Sequence, residues 1–431
     1  METLRQDDVG YDEAATSYHV HGTPVEVLRP ADAGEVAEAV RSAVERGLEV
    51  GVRGGGHTPW STNDGGVVID LLRLDRIEVG DDRLVTVGGG AVWGSVADAL
   101  APHGLAISSG DTASVGVGGL TVGGGIGWLV RATGLAVDQL VGAEVVTVAG
   151  EIVRASANEH PDLFWGIRGG GGNFGIVTEF VFRARPLRGV VHGHLEFDPA
   201  ELRSVLRALR DDLRRAPDEW TANLLTLPSF GPEMPPSLHV EVVWAGEDLD
   251  AARDASRALL GHPALRAGEL APGAYRDLLA GPPPEMPGPP PTMVDESDLV
   301  GRLDDDAIER IAAAHESLAP AVMMLRTLGG AYGRVAEDAT AFAGRRAEAF
   351  LICAAFRAPG APAEQISAAR EIWAHAMAGV SVGCYGNFHP TRAPRVVEAM
   401  YPPSTRERLR EVKRSWDPDN VFRGNHNVTP R

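Results

Sequence analysis

An α+β fold is what this chain predicts, and three features carry the prediction. Short helical and extended patterns alternate through the first part of the sequence. From near Pro186 onward, amphipathic helices are mixed with half-buried strands. No apolar stretch approaches the roughly 20 residues that a membrane span requires. At 431 residues and 44% hydrophobic, the chain can build two or three domains around a large core.

The elements follow in order. Asp32 with Glu35 is a capping-box-like helix start. Val36, Val40, Ala43 and Val44 share one face of the helix that follows, and Gly47 ends it. Leu48 to Val52 reads as a strand that delivers a glycine run. Val67 to Leu71 and Leu84 to Val87 read as further strands, and Val92 to Leu100 as a short helix stopped by Gly104. Ala143 to Val148 and Glu151 to Arg154 pattern as a hairpin across Ala149-Gly150. Before the hairpin lie Gly110 to Gly119 and Gly123 to Gly127, too rich in glycine for a stable helix or an ordinary strand. The interleaved Val115, Val117, Leu120, Val122, Ile126 and Trp128 mark this segment as core, not linker.

Pro161 to Arg168 reads as a helical turn and Ile176 to Phe182 as a strand. Glu201 to Leu213 is an amphipathic helix through Leu202, Val205, Leu206, Leu209 and Leu213, and Leu238 to Val242 alternates as a half-buried strand. Gly281 to Pro291 is proline-rich and reads as a surface loop. Strands near Met323 to Thr327 and Ala349 to Ala354, and a helix near Glu364 to Ala378, complete the second part. The tail, Arg406 to Asn427, begins helical and becomes extended after Asp417-Pro418-Asp419-Asn420.

Net charge is −19, from 40 basic and 59 acidic residues, which disfavours nucleic acid and anionic membranes as partners. A neutral or cationic small molecule suits this balance better. The two cysteines, Cys353 and Cys384, exclude a disulfide framework and are expected to pack as small apolar residues. The acidic, polar N-terminus is not a signal peptide, so a cytoplasmic location is expected.

The most informative run is Arg53-Gly54-Gly55-Gly56-His57. Consecutive glycines leave backbone N–H groups bare and can wrap a phosphate closely. A histidine at the end of such a loop can reach whatever carries the phosphate. Gly170 to Gly175 satisfies GxGxxG, but a helical turn precedes it and a strand follows. A nicotinamide fingerprint needs the reverse order and is rejected. Walker A, HExxH, GxSxG and paired zinc-binding cysteines are absent, and no metal is expected.

Taken together, Arg53 to His57, Gly116-Val117-Gly118-Gly119, Gly123 to Gly127, Arg131-Ala132-Thr133-Gly134-Leu135, Arg168 to Val177 and the tail Val412 to Phe422 resemble a known family in order and spacing. The family is the FAD-linked oxidases with a PCMH-type flavin domain, in the berberine-bridge-enzyme-like branch that includes bacterial 6-hydroxynicotine-oxidase-like proteins. Leu325 to Ala331 resembles a substrate-domain strand of that branch. The resemblance spans nearly the whole chain.

It implies a PCMH-type FAD-binding domain in two α+β subdomains (1–188). A substrate domain with a large antiparallel sheet flanked by helices would follow (189–395), and then a C-terminal segment returning to the FAD domain (396–431). It implies FAD bonded covalently through His57 to the 8α carbon. Thr112 stands at the position where relatives carry a second, cysteinyl link, so a single bond is expected. The implied cofactor-binding residues are Arg53, Gly54, Gly55, Gly56, His57, Thr58, Gly110, Ser114, Val115, Gly116, Gly118, Gly119, Gly123, Gly127, Ile176, Val177, Tyr385, Asn387 and Asn425. Val115 occupies the position bordering the oxygen pocket, where a small residue goes with oxidases, so O₂ is the expected acceptor.

Tyr385-Gly386-Asn387-Phe388 resembles the family's Y-x-N-Y motif, which makes Tyr385 and Asn387 the implied catalytic residues. Phe388 replaces the second tyrosine and cannot move a proton. Either Tyr385 or His389 serves as base, or none is needed, as for a neutral amine donor. Alcohol, phenol and polyketide-like donors stay open. Two rivals to the oxidase reading are an FAD dehydrogenase with another acceptor and a flavin-loaded binding protein without turnover.

Overall fold

The protein is described from a computed structural model covering residues 1–18, 20–281, 291–389 and 391–431. The proline-rich stretch at 282–290 lies outside the described residues. Runs of Val, Ile and Leu bounded by glycine build three larger sheets. In the first, Glu2–Leu4, Glu26–Arg29, Val67–Asp70 and Val50–Arg53 lie side by side in that order. Val67–Asp70 pairs in parallel with both Glu26–Arg29 and Val50–Arg53. Parallel pairing requires a crossover, which the helix Ala33–Glu45 supplies. Asp32 caps this helix by accepting the Glu35 N–H, and the Glu35 carboxylate accepts the Ala31 N–H at 2.7 Å. Gly47 ends it at φ +64°. Val36, Val40 and Ala43 are buried, whereas Val44 is 40% exposed because it lies at the edge of the apolar stripe.

The second sheet is antiparallel, in the order Ile152–Ser156, Leu140–Val146, Ile176–Arg183, Leu84–Gly88, Ile77–Val79. Its first two strands are the expected hairpin, turning at Gly150 with φ +71°. The third sheet is antiparallel and larger: Leu265–Ala267, Val190–Phe197, Ser237–Trp244, Trp220–Leu227, Ala321–Thr327, Ala349–Arg357 and Thr292–Val300, with Ala271–Gly273 also pairing Val190–Phe197.

Directly paired residues of an antiparallel ladder share a face. Val240, Leu224, Leu325 and Leu351 therefore point one way, into a core with the helices Leu202–Arg215, Asp305–Leu318 and Ala363–Met377. On the other face, Asn223, Arg326, Phe350 and Leu299 form one cross-strand row, and Leu225, Met324, Ile352 and Ser297 the next. This second face packs against the glycine-dense segment: Leu299 and Phe350 share a cluster with Ile126, Val130, Val137 and Tyr385.

Two expectations are corrected. The glycine-dense segment contains a helix, Val117–Gly123, despite its composition. Seven residues with this much glycine would not hold a helix alone. Tertiary contacts supply the missing stability: Val117 is buried and donates its N–H to Ala91 at 2.8 Å. Of the interleaved apolar residues, Val117, Ile126 and Trp128 are buried, but Val115, Leu120 and Val122 are only half-buried. Cys353 and Cys384 are free and buried. No described helix is long and apolar enough to cross a membrane.

Candidate functional site

The strand Val50–Arg53 ends at the loop singled out in the sequence. Arg53 turns backward: its Nη1 donates to the carbonyls of Ala14 and Thr16, each at 2.7 Å, and of Glu13 at 3.1 Å. It braces the loop from behind. The Gly56 carbonyl accepts the Tyr18 N–H and the Ser17 hydroxyl, both at 3.0 Å. No amide N–H from Gly54 to Thr58 donates to another described residue. Such a row of bare amides, braced by carbonyl-side bonds, is the chemistry of an anion cradle. Thr58 Oγ1 is bonded to Ser61 Oγ at 2.7 Å.

Gly55 and Gly116 sit back to back. A Cβ on Gly55 would lie 2.3 Å from Gly116 N, and one on Gly116 would lie 2.2 Å from Gly55 N. This contact docks the loop onto the glycine-dense segment, which is why both positions exclude a side chain. It also brings Ser114 to His57, with Ser114 Oγ 3.0 Å from the imidazole Nε2. Burial lowers the His57 pKa, against the raising effects of the Ser114 hydrogen bond and the Asp111 charge, so the ring is neutral at pH 7.

The other expected residues are spread along the same surface. Val115 is half-buried against the core beside the five-stranded sheet. Gly118 abuts Gly89, Gly123 abuts the Asn387 side chain, Gly127 abuts the Ser109 carbonyl, and Gly110 touches Leu120. Gly119 is exposed, and a Cβ there would meet nothing within 4 Å. Ile176 and Val177 commit their side chains to two different core clusters, so they have only main chain to offer a ligand. Asn425 is half-buried, and its Oδ1 is a buried acceptor with no partner among the described residues.

Tyr385 lies under the large sheet, 2% exposed. Its hydroxyl accepts N–H groups from Gly125 at 3.0 Å and Ile126 at 3.4 Å, and from Asn387 Nδ2 at 2.8 Å. Asn387 Nδ2 also donates to the Leu120 carbonyl at 3.2 Å. The pair thus clasps the glycine-dense segment to the sheet. Burial pushes the Tyr385 phenol up to about 12, so it stays protonated at neutral pH. Phe388 packs against Phe350 and Tyr385 with centroids at 5.3 and 5.9 Å, yet remains 40% exposed. His389 turns Nε2 toward Glu296, 3.8 Å away, on the helix-covered side of the sheet. Burial lowers its pKa to about 4.

Three contacts had no signature in the sequence. Arg326, 2% exposed, pairs with Asp111 at 2.9 Å and stacks over Trp128 at 4.4 Å. Tyr275 Oη lies 2.7 Å from Ser109 Oγ. Arg131 spreads its guanidinium over the carbonyls of Trp220, Leu328, Ala216 and Pro217. Each joins segments far apart in the chain, so no local spacing announces it.

The whole arrangement offers an anion cradle, a neutral imidazole beside it, a glycine interface with no room for side chains, and an orphaned acceptor at Asn425. These fit a flavin dinucleotide. Residues 24–156 match the FAD binding domain family, and residues 384–429 match the family described as berberine and berberine like. (R)-6-hydroxynicotine oxidase of Paenarthrobacter nicotinovorans is 30% identical over 462 aligned residues, spanning 100% of this chain and 96% of its own length. Among solved structures, 6-hydroxy-D-nicotine oxidase from Arthrobacter nicotinovorans superposes with TM-score 0.86 at 30% identity, covering 100% of this chain and 98% of that one. The xylooligosaccharide oxidase from Myceliophthora thermophila does so with TM-score 0.86 at 26% identity, covering 100% and 97%. The bare-amide loop, the glycine interface and this full-length likeness make the chain a member of the berberine-bridge-enzyme-like family of FAD-linked oxidoreductases.

Proposed function

We propose that this protein is a mono-covalent FAD oxidase acting on a small organic donor, with O₂ as acceptor. The residue that carries the reading is His57, a neutral imidazole at the end of a bare-amide run. Bound FAD would supply a two-electron acceptor that takes hydride from the donor at N5 and returns the electrons to O₂ as H₂O₂. The chain's part is to hold and orient. The amides of Gly54 to Gly56 would hold the pyrophosphate. In the tautomer that gives its Nε2–H to Ser114, His57 would keep the Nδ1 lone pair free for the link to the flavin. Thr112 has no thiol and its hydroxyl bonds Asp111, which supports a single link.

Ser114 to Gly119, the main chain at Ile176-Val177, Asn387 and Asn425 would surround the ring system. Tyr385 and Asn387 would act by position: a phenol held near pKa 12 and occupied by three donors is no base at neutral pH. His389 is aimed at Glu296, away from the face that packs on the glycine-dense segment. A donor that releases hydride without a base, such as a neutral amine, suits a site so built. The division into an FAD-binding domain (1–188), a substrate domain (189–395) and a returning C-terminal segment (396–431), and a cytoplasmic location, belong to the same reading.

The test combines two measurements. Acid-denatured wild type run on a gel should fluoresce with bound flavin, and His57→Ala should not. Dithionite-reduced wild type should then reoxidise rapidly in air. Flavin retained on the His57→Ala polypeptide refutes the link. Slow reoxidation in air alongside fast reaction with an artificial acceptor makes the enzyme a dehydrogenase.

A further inference from the structure

The strand Thr292–Val300 carries Asp295, Glu296 and Asp298 at the edge of the large sheet. Strand alternation separates them. Glu296 points to the helix-covered side, where Arg370 at 3.2 Å and Arg395 at 3.5 Å pair with it. Asp298 faces the same way and accepts the Trp373 indole N–H at 2.6 Å. Asp295 points to the opposite face. Its register partner is Ala354, which pairs in turn with Val322.

That face changes character along the strands. Arg326, Phe350 and Leu299 are buried beneath the glycine-dense segment. The rows beyond are only half-buried, with Leu225, Met324 and Ile352 in one and Val322, Ala354 and Asp295 in the next. The sheet is therefore more covered at one end than at the other. Around Asp295 the less covered part is apolar, through Leu225, Met324, Ile352, Val322 and Ala354, and the Leu225 row continues to His239, which pairs with Leu225. Asp295 Oδ1 is a buried acceptor without a partner among the described residues.

Two contacts tie this place to the flavin site. Ser297, two positions on along the same face, bonds the Tyr385 carbonyl at 3.3 Å. Tyr18, whose phenol feels the Asp295 charge, donates its main-chain N–H to Gly56, next to His57.

We infer that Asp295 is the anionic anchor that binds the donor amine in its cationic form, the nitrogen giving its proton to water before hydride leaves, with the apolar body of the donor against Leu225, Met324 and Ile352. This deepens the oxidase reading and rests on it. A desolvated carboxylate oxygen left unpaired is costly, and a cation entering an apolar cleft needs a counter-ion, so each removes the other's penalty. Burial, with Glu296 adjacent, pushes the Asp295 carboxyl up to about 6, so it is still mostly ionised at pH 7. The chain's net charge of −19 further favours approach of a cation.

Anaerobic titration of the holoenzyme with benzylamine and with benzyl alcohol, read from the change in flavin absorbance, tests this. Wild type should bind benzylamine about tenfold or more tightly than benzyl alcohol, the scale of a charge-assisted bond. Asp295→Asn should abolish that preference without changing benzyl alcohol affinity, and Asp295→Glu should retain part of it. Asp295→Ser serves if the Asn variant does not fold. No preference in wild type, or an Asn or Ser variant that keeps it, overturns the inference. Failure of the oxidase reading appears separately, as reduced wild type that does not reoxidise in air while the binding preference persists.

Discussion

Gly116 and Gly119 stand three positions apart and are glycine for different reasons. Gly116 faces Gly55 so closely that any Cβ must push two backbone segments apart. Gly116→Ala should cost about 1–3 kcal/mol, as overpacking does, and should lower flavin content by separating Ser114 from His57. Gly119 lies in the helix Val117–Gly123 with open space beyond it. Gly119→Ala should therefore stabilise the flavin-free protein by about 0.5–1 kcal/mol, since alanine suits a helix better. If FAD lies against that position, the same variant should load less flavin. Thermal denaturation with and without FAD separates the two glycines. A Gly116 variant as stable as wild type would contradict the interface described above.

At the scale of elements, the C-terminal helix Pro403–Trp416 and the extended tail are fastened by the chain's one lysine. Lys413 is fully buried, and its ammonium donates to Asp417 Oδ2 at 2.7 Å and to the carbonyls of Asn173 and Phe422 at 2.8 and 2.9 Å. Asp417 in turn accepts the N–H groups of Val421 and Phe422, each at 2.9 Å. Lys413→Met leaves a buried carboxylate without its cation and should destabilise by about 3–5 kcal/mol. Lys413→Met with Asp417→Asn should recover part of that loss, and urea denaturation of both variants checks it. Elements with strong local signals were legible in the sequence: the Asp32 cap, the hairpin through Gly150, and the amphipathic helix with Leu202, Val205 and Leu209. Thr292–Val300 was not, because three acids in nine residues hide a strand in which Glu296 and Asp298 find their partners only in distant arginines and a tryptophan and Asp295 Oδ1 has none among the described residues.

Across the whole molecule, Arg131 is the fastener between the glycine-dense half and the large sheet. It is 4% exposed and holds four carbonyls, and among the described residues no carboxylate pairs with it. Burial lowers its pKa to about 10, so it remains charged at neutral pH. Arg131→Met strands buried acceptors and should cost about 2–4 kcal/mol. Arg131→Lys should not restore it, because an ammonium lacks the planar fork that reaches all four. A melting temperature for Arg131→Lys equal to that of wild type would show the fastener to be replaceable. The glycine runs, the Arg53 to His57 loop and the segments Arg168 to Val177 and Val412 to Phe422 were enough, read as sequence alone, to identify the flavin-binding family, because a bare-amide loop is a local property of consecutive residues. Which faces meet was decided only by the tertiary structure. The burial of Tyr385, the pairing of Arg326 with Asp111 and the less covered end of the sheet around Asp295 all depend on strand register and long-range packing, and residues hundreds of positions apart carry no mark of their neighbours.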